Sequence, residues 1–534
     1  MGKFDFNLKS HQKKLKPLLK ELVAGQTYDQ VLRRHPKTKG SLFTRSEIIA
    51  GLRHFYGEGA AAKLQAKPVR TLSGVVPVTL LTKPYPCPGK CIFCPNDPKM
   101  PKSYLSAEPG AQRAALNNFD PYNQVTTRLM TYHANAHSTE KIELIVLGGT
   151  WSSYPKHYKI WFIKRCFDAL NDFKPGKTKK VKAPQIDGSA DWPELYPAQK
   201  KNETAVSRCV GLSLETRPDF LNEAELVRFR QLGCTKIQIG IQSLNNRVLN
   251  LNKRGHRVRA TKKAIGLLRL AGFKIQGHWM ANLYGADPEG DIKDFTKLFS
   301  DPGIRPDELK VYPTALIETA ELMDYYKKGL WKPYSYSELL KVLVAALPMV
   351  TEYCRVTRVI RDFSSDDIVV GNKLTNFREI VEKEIRRQGK QLKEIRAREV
   401  RGQPIDAAKL KLKITSYAAG LAKENFLQFV TPDNQIAGFL RLSLPLKPAF
   451  IPELKGAALI REIHVYGKAL DLGADSGLKA QHRGLGKTLI KTAAELAKKA
   501  GFKHLSVISA VGTRQYYKKQ GFRRGRLYQS LLIS

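Results

Sequence analysis

Cys87-Pro88-Gly89-Lys90-Cys91-Ile92-Phe93-Cys94 gathers three thiols in eight residues. Proline and glycine among them rule out a regular helix or a central strand. The stretch reads as a loop folding its thiols inward around one object. The spacing C-x3-C-x2-C suits three irons of a 4Fe–4S cluster, which would leave the fourth iron without a protein ligand, although four Cys ligands are usual. A zinc site would need a fourth ligand, and the next His or Cys after Cys94 is His133. A disulfide would use two of the three and suits a secreted chain.

An iron left open is the chemical signature of radical S-adenosylmethionine enzymes, and the Cys loop resembles the motif of that superfamily. The resemblance implies that the amine and carboxylate of S-adenosylmethionine chelate the open iron.

These residues need a frame. The chain has 534 residues, too many for one ordinary domain. From residue 71, apolar β-branched runs alternate with amphipathic helices such as 223–232 and 260–271. Strands are expected at 75–81, 142–147, 210–214, 236–241, 274–279 and 309–312. Strand–helix alternation implies a parallel sheet, and six units make an open, partial TIM-like (β/α)6 barrel rather than a closed one. Polar residues follow the strands, where such a fold places chemistry. Gly148 and Gly149 let backbone approach a ligand. Glu215 can bind ribose hydroxyls or an amine, and Arg217 a carboxylate. Gln242, His278 and Tyr312 complete the series; a lone His278 on a strand is more often a core residue. A basic, polar insertion at 172–208 breaks the alternation and is expected as an exposed loop.

Lys and Arg number 90 against 48 acidic residues, a formal net charge of +42. This excess implies a polyanionic partner, nucleic acid first. Residues 1–70 form a basic helical head: Leu15, Leu18, Leu19, Leu22 and Val23 recur at helical spacing, with Lys13, Lys14, Lys16 and Lys20 on the other face. Such a module can neutralise tRNA phosphates. Residues 355–410 are basic again and read as a linker after a barrel at 71–354. No apolar run approaches a membrane span and no signal-peptide core is present, so no membrane partner is expected. Seven cysteines, an odd number, argue against a disulfide framework and for a reducing, cytoplasmic setting.

Residues 411–534 read as a small α/β domain. A hairpin spans 425–442 and a further strand 459–466. Gln481-His482-Arg483-Gly484-Leu485-Gly486-Lys487 then opens a helix. Glycines there clear the way for backbone N–H groups and the helix dipole to meet a pyrophosphate. This context resembles the acetyl-CoA-binding GNAT-type N-acetyltransferase superfamily.

The two halves in this order resemble the family of the catalytic Elongator subunit and its stand-alone bacterial and archaeal relatives. The resemblance rests on the Cys loop and on Leu147-Gly148-Gly149-Thr150, Glu215-Thr216-Arg217-Pro218-Asp219, Ile239-Gly240-Ile241-Gln242-Ser243, Asn252-Lys253-Arg254-Gly255-His256, Leu309-Lys310-Val311-Tyr312-Pro313-Thr314, Ile395-Arg396-Ala397-Arg398-Glu399-Val400 and Gly512-Thr513-Arg514-Gln515-Tyr516-Tyr517. It implies an acyltransferase acting on the wobble uridine of a tRNA anticodon. A radical from S-adenosylmethionine takes hydrogen from the methyl group of acetyl-CoA, and the carbon radical adds to carbon 5 of uracil. Hydrolysis then leaves a carboxymethyl group. Cys87, Cys91 and Cys94 would hold the cluster. Lys141, Glu462, Ile463, His464, Val465, Leu485, Gly486, Lys487 and Tyr517 would meet acetyl-CoA, with Lys141 and Tyr517 in catalytic roles. Acetyl-CoA and cluster are expected to share one cavity. Where the family usually places zinc-binding cysteines, this chain reads Gln391-Leu392-Lys393-Glu394, so structural zinc is not expected. A protein lysine acetyltransferase is the competing reading. The residues identify no electron donor and do not choose between a homodimer and Elongator-type accessory subunits.

Overall fold

A computed structural model describes residues 8–71, 73–176, 183–401, 405–466 and 484–533. The first sheet is parallel throughout, in the order β1-β2-β3-β4-β5-β6-β8. Its strands are β1 (Val76–Leu81), β2 (Lys141–Leu147), β3 (Arg208–Thr216), β4 (Lys236–Gln242), β5 (Lys274–Ala281), β6 (Glu308–Pro313) and β8 (Arg355–Arg358). The first six lie where β-branched runs alternate with helices. Helices such as Lys156–Asp172, Glu223–Gln231 and Val258–Leu270 bury Phe162, Phe229 and Leu268 against the sheet. The strand order does not close, so the barrel is partial.

β8 was not expected. It starts the stretch read as a linker and extends the sheet, with Glu308 opposite Arg355. Several arginines of this basic stretch staple the segment in place. Arg355 pairs with Glu399, Arg378 with Glu382 and Glu394, and Arg398 bonds the Glu352 carbonyl and Gln428. Glu394 anchors the chain by accepting from the amides of Val356 (3.0 Å) and Arg396 (2.8 Å). The 172–208 insertion is more than a loop. Helix Trp192–Asn202 begins in an Asp191 capping box and buries Leu195. A two-stranded sheet pairs β7 (Leu316–Ile317) with β9 (Ile368–Val370).

In the basic head, helix Leu8–Val23 buries Leu15, Leu18 and Leu19 against helix Arg45–Lys63, while Val23 is exposed. Lys13, Lys14, Lys16 and Lys20 face solvent. Arg34 and His35 are engaged with Glu21, and Lys37 with Glu47.

The second sheet runs β10-β11-β12-β13-β14-β16-β15. Its strands are β10 (Lys411–Ala419), β11 (Ala422–Val430), β12 (Ile436–Pro445), β13 (Ala457–Val465), β14 (His504–Val507), β15 (Arg523–Arg524) and β16 (Gln529–Leu532). All neighbours are antiparallel except β13 and β14. Helix Leu485–Lys499 covers one face through Leu489, Ile490 and Ala493.

This sheet docks under the amino ends of the barrel strands through buried ion pairs. Arg461 on β13 grips Asp307 with two bonds of 2.7 Å and Glu424 at 2.6 Å. Arg441 bonds Glu462 at 2.8 Å and the Tyr353 carbonyl at 2.6 Å. Lys274 joins Glu308 to Glu462. Burial alone would raise the Asp307 carboxyl; Arg461, Arg441 and Arg269 outweigh it and hold the group far below the usual range. Lys236 and Lys274 do the same for Glu308, again against burial. Unfolded carboxyls titrate near pH 4, so the stability from each group is fully present above that pH. It is lost as pH falls, by roughly 2–3 kcal/mol per carboxylate. The melting temperature is expected to hold between pH 7 and pH 5 and to drop steeply below pH 4. Calorimetry showing equal melting at pH 5 and pH 3 would contradict this.

Candidate active site

The Cys loop follows β1 at the carboxyl end of the barrel. Ile92, between two of the cysteines, anchors it in an apolar cluster with Leu105, Leu316 and Leu322. Its amide and carbonyl bond the Asn252 carbonyl and the Leu322 amide. Tyr85 stacks on Tyr154 and fixes the approach to Cys87. The thiols line one cavity of about 170 Å³ with Gly149, Glu215, Gln242, His278 and Tyr312. Burial, then Cys91, push the Cys94 thiol up to about 12. Among the described residues no three His, Cys, Asp or Glu side chains converge on a single-ion site. Three thiols lining one cavity match the thiolate ligation of an iron–sulfur cluster.

The rest of the cavity fits a polar ligand. Gln242 holds a left-handed backbone (φ 65°), unusual without glycine, and its buried Oε1 lacks a hydrogen-bond partner. Glu215 accepts from the Tyr104 hydroxyl at 3.0 Å and keeps part of its surface open. Gly148 (φ 145°) passes so close to Thr82 that a Cβ would lie 1.8 Å from its hydroxyl. Arg217 is bonded through Nε and Nη2 to Asp219 and to the Arg254 carbonyl, and its Nη1 lies against Gly89. Its Nη1 is buried without a hydrogen-bond partner in the lining of the thiol cavity, so a donor remains for a carboxylate. Sequence reasoning gave no place at the thiols to Arg254, quoted only within its motif, or to Arg361 of the basic stretch after 354, yet both approach the thiols from distant segments. Lys102, Arg358 and Lys373 add cations to the lining.

The second group of candidates lies at the opposite end of the strands. β13 and β14 pair only from Ala457–His504 to Ile460–Val507. Glu462–Val465 run on past β14, and among the described residues that edge is unpaired. A free strand edge can pair with an amide-bearing chain. Helix Leu485–Lys499 points its amino end here, offering the amides of Leu485, Gly486 and Lys487 to an anion. Gly486 lies against Ile463 and Tyr516; a Cβ would sit 2.8 Å from the Tyr516 hydroxyl. Tyr517 is buried against Phe522, and burial raises its phenol. Burial lowers His464 to about 4, so its ring is neutral at pH 7. Lys141, at the amino end of β2, makes no ion pair with a described residue. Its cross-strand neighbour Arg208 touches Gly512, just before the Tyr516-Tyr517 helix. Gln481, His482 and Arg483 of the glycine loop lie outside the described residues.

Among the described residues the two groups do not share one cavity: no residue of the second sheet lines the thiol cavity. β4, with seven residues, spans about 20 Å at roughly 3.3 Å per residue. Between the ends the barrel interior is polar, where barrels are usually filled by branched apolar chains. Lys236, Lys274 and Glu308 occupy the amino ends; Lys310 donates to Gln238 at 2.6 Å above them; His278 joins Gln238 toward Glu215. Burial lowers the Lys310 ammonium to about 8.

Comparison with known proteins agrees with this architecture. Residues 85–298 match the Radical SAM superfamily and 306–387 the Radical SAM C-terminal domain. A tRNA uridine(34) acetyltransferase of Methanocaldococcus jannaschii is 39% identical over 87% of this chain and 86% of its own. Elongator complex protein 3 of Homo sapiens is 34% identical over 89% of this chain and 87% of its own. The solved structure of Methanocaldococcus infernus Elp3, lacking its N-terminus, superposes with a TM-score of 0.72 at 35% identity, covering 86% of this chain and 99% of that one. No helix among the described residues is long and apolar enough to cross a membrane. The chain therefore belongs to the radical SAM family of tRNA uridine(34) acetyltransferases and Elongator complex protein 3.

Proposed function

We propose that this chain is a tRNA uridine(34) acetyltransferase that builds a carboxymethyl group at carbon 5 of the wobble uridine. The observation that carries the reading is a three-thiol cavity and a splayed-strand, helix-terminus site fixed on one frame by Arg461 and Asp307. The named relatives favour it over a protein lysine acetyltransferase.

Each half has a task. Cys87, Cys91 and Cys94 would hold a 4Fe–4S cluster, which when bound supplies the electron that cleaves S-adenosylmethionine. Gln242 and Glu215 would orient that molecule through its polar groups. Lys102, Arg358 and Lys373 would draw the anticodon phosphates to the cavity, and an unpaired loop base can turn into it. At the other end, the edge of Glu462–Val465 would pair with pantetheine amides. The amides of 485–487, with Lys141, would hold phosphates, and the Tyr517 hydroxyl would face the thioester. Lys236, Lys274 and Lys310 in the barrel interior would offer cations to a carboxylate there, which an apolar filling could not. The basic head at 1–70 would add phosphate contacts.

The deciding experiment is acetyl-CoA hydrolysis with and without tRNA, paired with mass spectrometry of anticodon nucleosides. Stimulation by tRNA with a carboxymethylated uridine is expected; acetylation of a histone-tail peptide without a tRNA response would favour the alternative. A narrower outcome concerns the glycine loop. Gly486→Val would put a branched side chain into Tyr516 and over the helix amides. Acetyl-CoA affinity is expected to fall at least tenfold, about 1.4 kcal/mol, by calorimetric titration. Wild-type affinity would contradict the placement.

A further inference from the structure

Arg254 is buried beside the cysteine loop, and its Nη1 donates to Cys91 Sγ at 3.3 Å. Its Nη2 donates to the Gly240 carbonyl at 2.8 Å, which fixes the guanidinium plane. Gly240 permits this approach, because a Cβ there would lie 2.5 Å from Nη2. Among the described residues Arg254 pairs with no carboxylate. A buried, unneutralised cation is costly unless an anion compensates it. Arg217 stands behind it, bonding the Arg254 carbonyl at 2.8 Å, and its own Nη1 is buried against Gly89 with no hydrogen-bond partner.

We propose that Arg254, braced by Arg217, sets the reduction potential of the cluster held by Cys87, Cys91 and Cys94. The inference rests on the cluster reading of those cysteines. The step concerned is a one-electron reduction by a low-potential one-electron donor: one electron enters, no bond forms or breaks, and no proton moves. The added negative charge arises beside a fixed cation and a thiolate-bound N–H, and both favour the reduced form. Arg254 is thus a tuning residue that acts through Cys91.

The test is redox potentiometry with dithionite, followed by electron paramagnetic resonance, on the anaerobically reconstituted full chain. At the wild-type midpoint, Arg254→Gln is expected to lower the reduced-to-oxidised ratio at least tenfold, a 59 mV shift for one electron. Iron and sulfide content should match wild type, which separates tuning from assembly. An unchanged midpoint at full iron content would overturn the proposal. Should Arg254→Gln lose iron, Arg254→Lys decides: it keeps the cation but not the two-pronged hold, and its midpoint must still fall. An unchanged midpoint in that variant also overturns the proposal. If the wild-type chain takes up no 4Fe–4S cluster, the cluster reading itself fails and the tuning role goes with it.

Discussion

Cys91→Ser is expected to reduce uridine modification to background in an anaerobic assay. The loss should exceed the roughly 10–100-fold that follows from removing a residue behind a metal ligand. A serine oxygen is a poor substitute for a thiolate toward iron, and no other cysteine can replace it: Cys166, Cys209, Cys234 and Cys354 are buried elsewhere. The fold should survive, because Ile92 and its bonds to Asn252 and Leu322 hold the loop without the sulfur. Nucleoside mass spectrometry with an iron assay reads the result. Full modification by an iron-depleted Cys91→Ser chain would end the cluster reading.

Arg461→Met is expected to cost about 3–5 kcal/mol, the penalty for breaking a buried pair by removing one partner. Asp307 and Glu424 would be left facing each other in the interior, with Arg269 and Arg441 as remaining cations. That is a large share of a typical 5–15 kcal/mol stability. Because Arg461 joins the two sheets, the loss should appear first as undocking. Limited proteolysis is expected to release a C-terminal fragment, and acetyl-CoA hydrolysis should cease to respond to tRNA. Adding Asp307→Asn should recover part of the stability by removing one orphaned charge. A wild-type melting temperature for Arg461→Met would contradict the role given to the network.

The first six strands were legible because short runs with β-branched or apolar residues alternate with helix-period segments, and their observed ends fall within about two residues of the expected ones. β8 was not, because Arg355-Val356-Thr357-Arg358 looks like solvated charge. Its place depends on Glu399, Glu394 and the edge of β6, which come from distant parts of the chain. The same applies to Arg378 and Arg398, whose partners Glu394, Glu352 and Gln428 come from other segments. The cysteine loop, Gly149, Glu215 and Gln242 could be read together because they follow successive strands. Arg254 could not: its contact with Cys91 is set by folding, not by spacing. Nor does chain order tell which end of a barrel receives the second domain. A signal was present in Lys236, Lys274 and Glu308, charged residues at the first inward positions of their strands. Such residues need partners, and Glu462 of the second sheet supplies one.

The central claim is that two half-sites at opposite ends of one barrel act on the same acetyl group. Supplying acetyl-CoA with a fully deuterated methyl group, together with tRNA and S-adenosylmethionine, tests it most directly. The account predicts that the 5′-deoxyadenosine released carries one deuterium, and that Gly486→Val lowers that labelled fraction. Unlabelled 5′-deoxyadenosine formed alongside carboxymethylated uridine would contradict it.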